Sequence, residues 1–196
     1  MKAMEKSETL YVARILYPVH VLGPGARIGI WLSGCAKRCE GCLSPELWYR
    51  TADQKRSVDT VLSYVARIAQ RYPVDGITVS GGEPFLQGEA LASLLCRLSA
   101  YTEDILVYTG LRREEIPERY LASVGVLVDG EYEKAQNRGE PLRGSANQRI
   151  CFLKPQLAEK YAPILAAEGG MLETFPTETG VLAVGIPDAR GNPLRP

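Results

Sequence analysis

The sequence carries no excess of either charge: 23 lysines and arginines face 23 aspartates and glutamates. No overall field therefore draws the chain to nucleic acid or to an anionic membrane, although a local basic patch could still form. Long apolar runs are also missing, and none approaches the roughly 20 residues that a membrane span needs. The segment Met1 to Thr9 is polar and has no apolar region of signal-peptide type, so the expected location is cytoplasmic. Internal repeats and low-complexity tracts are absent too. What remains, 45% apolar and 23% charged residues over 196 positions, is the composition of an ordinary globular chain. That length suits a single domain, residues 1–196, with its own core.

Cysteine is sparse but unevenly spread. Of five, Cys35, Cys39 and Cys42 are clustered, while Cys96 and Cys151 stand alone. In a cytoplasmic chain such clustering argues for metal or redox chemistry rather than a disulfide framework.

Periodicity outlines the fold. Arg27 to Ser33 alternates as a strand after the Gly23-Pro24-Gly25 turn, and a polar stretch runs from Gly34 to Arg56. Ser57 is placed to cap a helix, Asp59 complements its positive end, and Val58, Val61, Leu62, Val65 and Ile68 recur at helical spacing. The order then repeats. Gly76 to Ser80 reads as a strand, Glu89 to Leu98 as a helix with Leu91, Leu94, Leu95 and Leu98 inward, and Ile105 to Tyr108 as the next strand. A short helix around Pro117 to Ala122, strands at Val124 to Val128 and Ile150 to Leu153, and a helix from about Leu157 to Glu168 follow. Apolar strands alternating with amphipathic helices imply an α/β fold with parallel pairing, either doubly wound or a partial βα barrel. Ligands in both bind at the loops that follow the strands. Leu172 to Ile186 reads differently, as a short C-terminal β-hairpin appended to that core.

The clustered cysteines have the spacing C-x3-C-x2-C, directly after a strand. Three thiolates on one tight loop can hold three corners of an iron–sulfur cubane, leaving the fourth iron open to a substrate or cofactor. Lys37, Arg38 and the loop amides could help stabilise the thiolates. Zinc held by the same thiolates and His20, the only histidine, is an alternative, as are three unliganded cysteines.

Seven collinear blocks resemble the radical S-adenosylmethionine (SAM) superfamily, and within it the activating proteins of anaerobic ribonucleotide reductase. They are Gly23-Pro24-Gly25, Ser33-Gly34-Cys35, Cys39-Glu40-Gly41-Cys42, Ser80-Gly81-Gly82-Glu83-Pro84, Tyr108-Thr109-Gly110, Val126-Leu127-Val128-Asp129-Gly130 and Arg143-Gly144-Ser145-Ala146-Asn147-Gln148. The resemblance implies a partial TIM-like βα barrel with its core at about residues 17–153 and an extension at 154–196. It implies a 4Fe–4S cluster on Cys35, Cys39 and Cys42, with SAM around Gly81, Gly82, Glu83, Pro84, Tyr108, Thr109 and Asp129. It implies too that a one-electron donor of flavodoxin or ferredoxin type reduces the cluster, that SAM is cleaved to a 5′-deoxyadenosyl radical, and that a glycyl radical protein is the partner. Gly41 departs from the aromatic residue that the superfamily at large often has before the third cysteine; the activating subgroup commonly has glycine there.

Each of these residues also has a plain structural reading. Ser80 to Pro84 is a strand-to-helix turn whose glycines would let backbone approach a ligand and whose Glu83 could accept from an ammonium. Asp129-Gly130 suits a simple turn, and Arg143 to Gln148 an exposed loop. Cys96 reads as a small core residue of its helix. Cys151 reads as structural, with a place near the substrate as the alternative. His20 reads as a packed or surface histidine. Two rival functions stay open: a radical SAM enzyme acting directly on a small metabolite or peptide, and a non-catalytic iron–sulfur or zinc module.

Overall fold

Seven strands form one open mixed sheet in the computed structural model, which describes residues 8–178 and 180–187. The polar segment before residue 8 and the end of the extension from residue 188 lie outside the described residues. In chain order the sheet strands are β1 (Thr9–Val19), β2 (Arg27–Leu32), β3 (Lys55–Ser57), β4 (Gly76–Gly81), β5 (Ile105–Tyr108), β6 (Val126–Asp129) and β7 (Arg149–Phe152). Their order across the sheet is β3-β1-β2-β4-β5-β6-β7. The helices are α1 (Val58–Ala69), α2 (Gly88–Leu98), α3 (Glu118–Leu121) and α4 (Ala158–Leu165).

The centre follows the periodicity of the sequence. Strands β2, β4, β5 and β6 pair in parallel. Every residue of β2 and of β6 is buried, as strands covered on both faces must be. Ser57 caps α1 by accepting from the Thr60 amide at 3.1 Å, and Val58, Val61, Leu62 and Val65 face inward. On α2 the buried set is Leu91, Leu94, Leu95 and Leu98. These side chains meet Ile28, Ile30, Ile77, Val79, Ile105 and Val107 in one core on the helical face of the sheet. Each large aliphatic side chain so buried contributes about 1.5–3 kcal/mol.

The flanks depart from expectation. The architecture is the expected α/β fold with a mostly parallel central sheet, and no closed barrel forms among the described residues. The final sheet strand, β7, runs antiparallel to β6. Residues 130–148 link these two strands without an α-helix, and a parallel return ordinarily needs one. At the other side lies β1, which the sequence reading omitted; it pairs antiparallel with both β2 and β3. Lys55 and Arg56, read as the end of a polar stretch, supply that short edge together with the capping Ser57.

Past α4 a second, two-stranded sheet forms from β8 (Met171–Thr177) and β9 (Gly180–Ile186), as the hairpin reading anticipated. Val184 and Ile186 pack against Val19, Leu22, Trp31 and Leu47 on the face of the main sheet away from α1 and α2.

At the end where the parallel strands begin, Arg27 is fully buried. Its guanidinium makes a two-pronged pair with Asp104, 3.0 Å to each carboxylate oxygen, and donates to Thr78 Oγ1 at 2.7 Å. Tyr161 donates to Asp104 at 2.6 Å and Lys160 pairs with it at 2.7 Å, which fastens α4 to the sheet. Burial acts to raise the Asp104 carboxyl, but the Arg27 hydrogen bonds and charge, with Lys160 and Tyr161, outweigh it and hold the group below its ordinary value.

Candidate active site

The strand ends opposite that brace come together because of register. Trp31 pairs with Ser80 and Leu32 with Gly81, so the loop after β2 and the turn after β4 leave the sheet side by side. The Gly82 amide donates to the Leu32 carbonyl and the Glu83 amide to the Gly34 carbonyl, both at 2.8 Å. This contact requires glycine. Gly81 sits at φ +120°, and a Cβ there would stand 2.1 Å from the Leu32 oxygen; one on Gly82 would stand 2.4 Å from the Gly34 oxygen. The two glycines therefore serve a backbone-to-backbone approach between the loops, where the sequence suggested an approach to ligand.

The cysteine loop starts under firm control. Gly34 and Cys35 donate their amides to the carbonyls of Leu47 and Trp48, at 2.8 and 3.0 Å. Ser33 donates to the Tyr11 carbonyl at 2.9 Å, and Gln87 Nε2 bridges the Tyr11 and Ser33 carbonyls at 3.1 and 3.3 Å. Further on, Arg38 (φ 51°) and Gly41 (φ 72°) take left-handed backbone, and Cys42 donates its amide to the Cys39 carbonyl at 3.2 Å. An aromatic residue at position 41 would be strained there, and a Cβ would meet Lys134 at 2.9 Å, which accounts for the glycine.

Cys35, Cys39 and Cys42 are free, half-buried thiols, and all three line a single cleft. Burial, followed by the Glu131 carboxylate, pushes the Cys39 thiol up; its Sγ lies 3.7 Å from Glu131 Oε1. Among the described residues no three His, Cys, Asp or Glu side chains converge as a single metal ion would require. Corner ligands of a cluster, a body several atoms across, stand apart and need no such convergence. His20 is elsewhere: its Nδ1 lies 3.0 Å from Glu173 Oε1 and its amide donates to Glu173 Oε2 at 2.9 Å. It does not line the cleft, so the zinc set of three thiolates and one imidazole is not assembled.

Ser80, Gly81, Gly82 and Glu83 line the same cleft, as do Tyr108 and Thr109. Glu83 is 3% exposed and already holds three protein donors: the Thr109 hydroxyl at 2.8 Å, the Gly110 amide at 2.8 Å and the Phe85 amide at 3.1 Å. Burial raises its carboxyl, and those donors together with the Lys37 charge offset part of the rise. Glu83 thereby clasps the β5 loop to the β4 turn and retains about one acceptor position for a ligand. Pro84 is buried at the start of a 3-10 turn and does not line the cleft. Asp129 does not line it either. Its carboxylate is fully buried, accepts from the Arg113 amide at 2.6 Å and from Arg149 Nε at 2.9 Å, and ties β6 to β7. From the Arg143 to Gln148 block, Gly144 and Gln148 reach the cleft.

Two cleft residues hold buried polar atoms with no protein partner, Tyr108 OH and Trp48 Nε1. Buried hydrogen-bonding groups are rarely left so, and inside a cleft they suit a ligand. Burial pushes the Tyr108 phenol up, keeping it a neutral donor. Trp48 follows the turn Pro45–Leu47 inside a polar stretch and carried no motif that would have singled it out. The hairpin also contributes to the cleft, through Leu172 and Ala183 to Pro187. Both remaining cysteines lie outside it. Cys96 is exposed on α2, against the core reading, and Cys151 is half-buried on β7, packed against the helical core.

Comparison with known proteins follows the same outline. The family model described as a 4Fe-4S single cluster domain matches residues 21–151. The anaerobic ribonucleoside-triphosphate reductase-activating protein of Enterobacteria phage T4 is 33% identical over 141 residues, covering 69% of this chain and 90% of that protein. The protein of the same name from Escherichia coli (strain K12) is 31% identical over 154 residues, covering 70% and 96%. Among solved structures, QueE from Escherichia coli superposes with a TM-score of 0.45 at 16% identity, over 62% of this chain and 70% of that one.

Proposed function

This chain belongs to the radical SAM family of 4Fe–4S single-cluster proteins that includes the anaerobic reductase-activating proteins, and we propose that it generates the glycyl radical of an anaerobic ribonucleoside-triphosphate reductase. The chain is an enzyme with a 4Fe–4S cluster and SAM as its cofactors. Cys35, Cys39 and Cys42 hold the cluster, and the turn at Gly81 to Glu83 with Tyr108 and Thr109 receives SAM. The observation that carries this reading is the meeting of three thiols and the Gly-Gly-Glu turn in one cleft, at adjacent ends of parallel strands.

Held by Cys35, Cys39 and Cys42 and given one electron by a flavodoxin- or ferredoxin-type donor, the cluster would supply the reductive cleavage of SAM that starts hydrogen-atom abstraction from a glycine Cα of the partner. The protein's own groups do the holding. Glu83 keeps the β4 and β5 loops in register and offers its remaining acceptor position to the amino group of SAM. Tyr108 OH and Trp48 Nε1, buried and unpaired, are donors for its polar groups. Lys37 pairs with Glu131 at 3.2 Å and so offsets the carboxylate that stands beside Cys39. The hairpin walls the cleft and limits water at the reacting centre.

Anaerobic reconstitution with iron and sulfide tests this assignment. With SAM and dithionite the protein should release 5′-deoxyadenosine and, with the reductase present, yield a glycyl radical signal by EPR. Each of Cys35→Ala, Cys39→Ala and Cys42→Ala should abolish both. Turnover retained in any of the three would remove that cysteine from the ligand set.

A further inference from the structure

Resting on the proposed function, we propose that the hairpin is a donor-selecting wall, in which Leu172 and Ala183 admit only a small, uncharged stretch of partner backbone to the reacting centre. The hairpin begins at Met171, beyond the family-matched residues 21–151.

Both of its faces border the cleft, and one of them is also anchored to the main sheet. In the β8–β9 register, Met171 pairs with Ile186, Glu173 with Val184 and Phe175 with Leu182, and these pairs share one face. That face is the anchor. Val184 and Ile186 are buried against Trp31 and Leu47, and Glu173 takes both the ring and the amide of His20. The alternate pairs, Leu172 with Gly185 and Thr174 with Ala183, present the opposite face. Leu172, Ala183 and Gly185 from that face line the cleft that holds the three thiols, and Val184 and Ile186 of the anchored face border it as well.

The chemistry of the lining indicates what can pass. Among the described residues, the charged side chains that line the cleft are Lys37 and Glu83. Lys37 is paired with Glu131, and Glu83 is buried with three donors. The hairpin adds only apolar side chains and backbone to the lining. A charged group brought against this wall would lose water without gaining a partner, which disfavours an anionic metabolite. A backbone segment centred on glycine carries no such penalty and has no side chain to clash with Leu172 or Ala183.

The test compares two yields in one assay: radical formed on the purified anaerobic reductase, by EPR, and 5′-deoxyadenosine released, by chromatography. Ala183→Phe narrows the cleft and Leu172→Glu charges the wall; Ala183→Val is a milder version that stays readable if the larger change impairs folding. The proposal predicts that the ratio of reductase radical to 5′-deoxyadenosine falls about tenfold in Ala183→Phe and Leu172→Glu, and by a smaller factor in Ala183→Val. A ratio equal to that of the unaltered chain, whether both yields hold or both drop together, overturns it. Failure of the underlying function reads differently, as no 5′-deoxyadenosine from the unaltered chain.

Discussion

A methyl group added at Gly82 would press on the Gly34 carbonyl, the residue that introduces the cysteine loop. Gly82→Ala should therefore force the loops after β2 and β4 apart, at a cost of about 1–3 kcal/mol, and calorimetry should show SAM binding weakened by an order of magnitude or more. Glu83→Ala removes the acceptor for Thr109 and for the Gly110 amide. Stranding those donors costs about 1–3 kcal/mol and should also weaken SAM binding; unchanged affinity would take Glu83 out of the site. At this scale the sequence was informative wherever spacing forces chemistry: the three cysteines and Gly81 to Glu83 share a cleft. Residue type alone misled. Cys96 follows Leu95 on α2, off the stripe of Leu91, Leu94, Leu95 and Leu98, so the periodicity already turned it outward although cysteine is a frequent core residue. Asp129 ends its strand as the motif demands, yet its charge is consumed by Arg149 and the Arg113 amide, a pairing between distant segments that no local pattern encodes.

Among the elements, α4 depends on a buried charge cluster. Asp104 joins Arg27 at the start of β2 to Tyr161 and Lys160 of α4. Asp104→Asn leaves a buried guanidinium without its counter-charge and should lower stability by about 3–5 kcal/mol, read as a drop in Tm. The Asp104 carboxyl is held below its ordinary value in the folded chain, so its contribution is complete above the unfolded value of about 3.9. It disappears as pH falls through the lower folded value. Acid should consequently destabilise the unaltered chain more steeply than Asp104→Asn in that window; parallel acid curves would contradict this account of the brace. Helices α1 and α2 and the central strands were legible because apolar spacing and a serine cap act locally. Strand β1 was not. Its burial is irregular, its register shifts between Leu16 and Val19, and Pro18 lies within it. Proline is tolerated there because β3 pairs only with Thr9 to Tyr11 and leaves that edge of β1 open further along.

Over the whole molecule, alternation of strands and helices conveyed a parallel centre but not its flanks. Strand direction is set by what lies between strands, and residues 130–148, lacking an α-helix, were the available sign that β7 would turn back on β6. The hairpin was recognisable from its composition, whereas its position over the cleft depends on apolar contacts with Trp31, Val19 and Leu22, far away in sequence. The resulting arrangement places thiols, a glycine-rich turn and an apolar wall around one opening, with a buried ion pair bracing the far end of the sheet. The most direct measurement of what passes through that opening is isotope transfer. A reductase labelled with deuterium at its glycine α-carbons should deliver deuterium into 5′-deoxyadenosine when incubated with the reconstituted protein, SAM and reductant, and Cys39→Ala should yield neither nucleoside nor label. If the 5′-deoxyadenosine formed alongside the labelled reductase carries no deuterium, the hydrogen comes from another source and the account is contradicted.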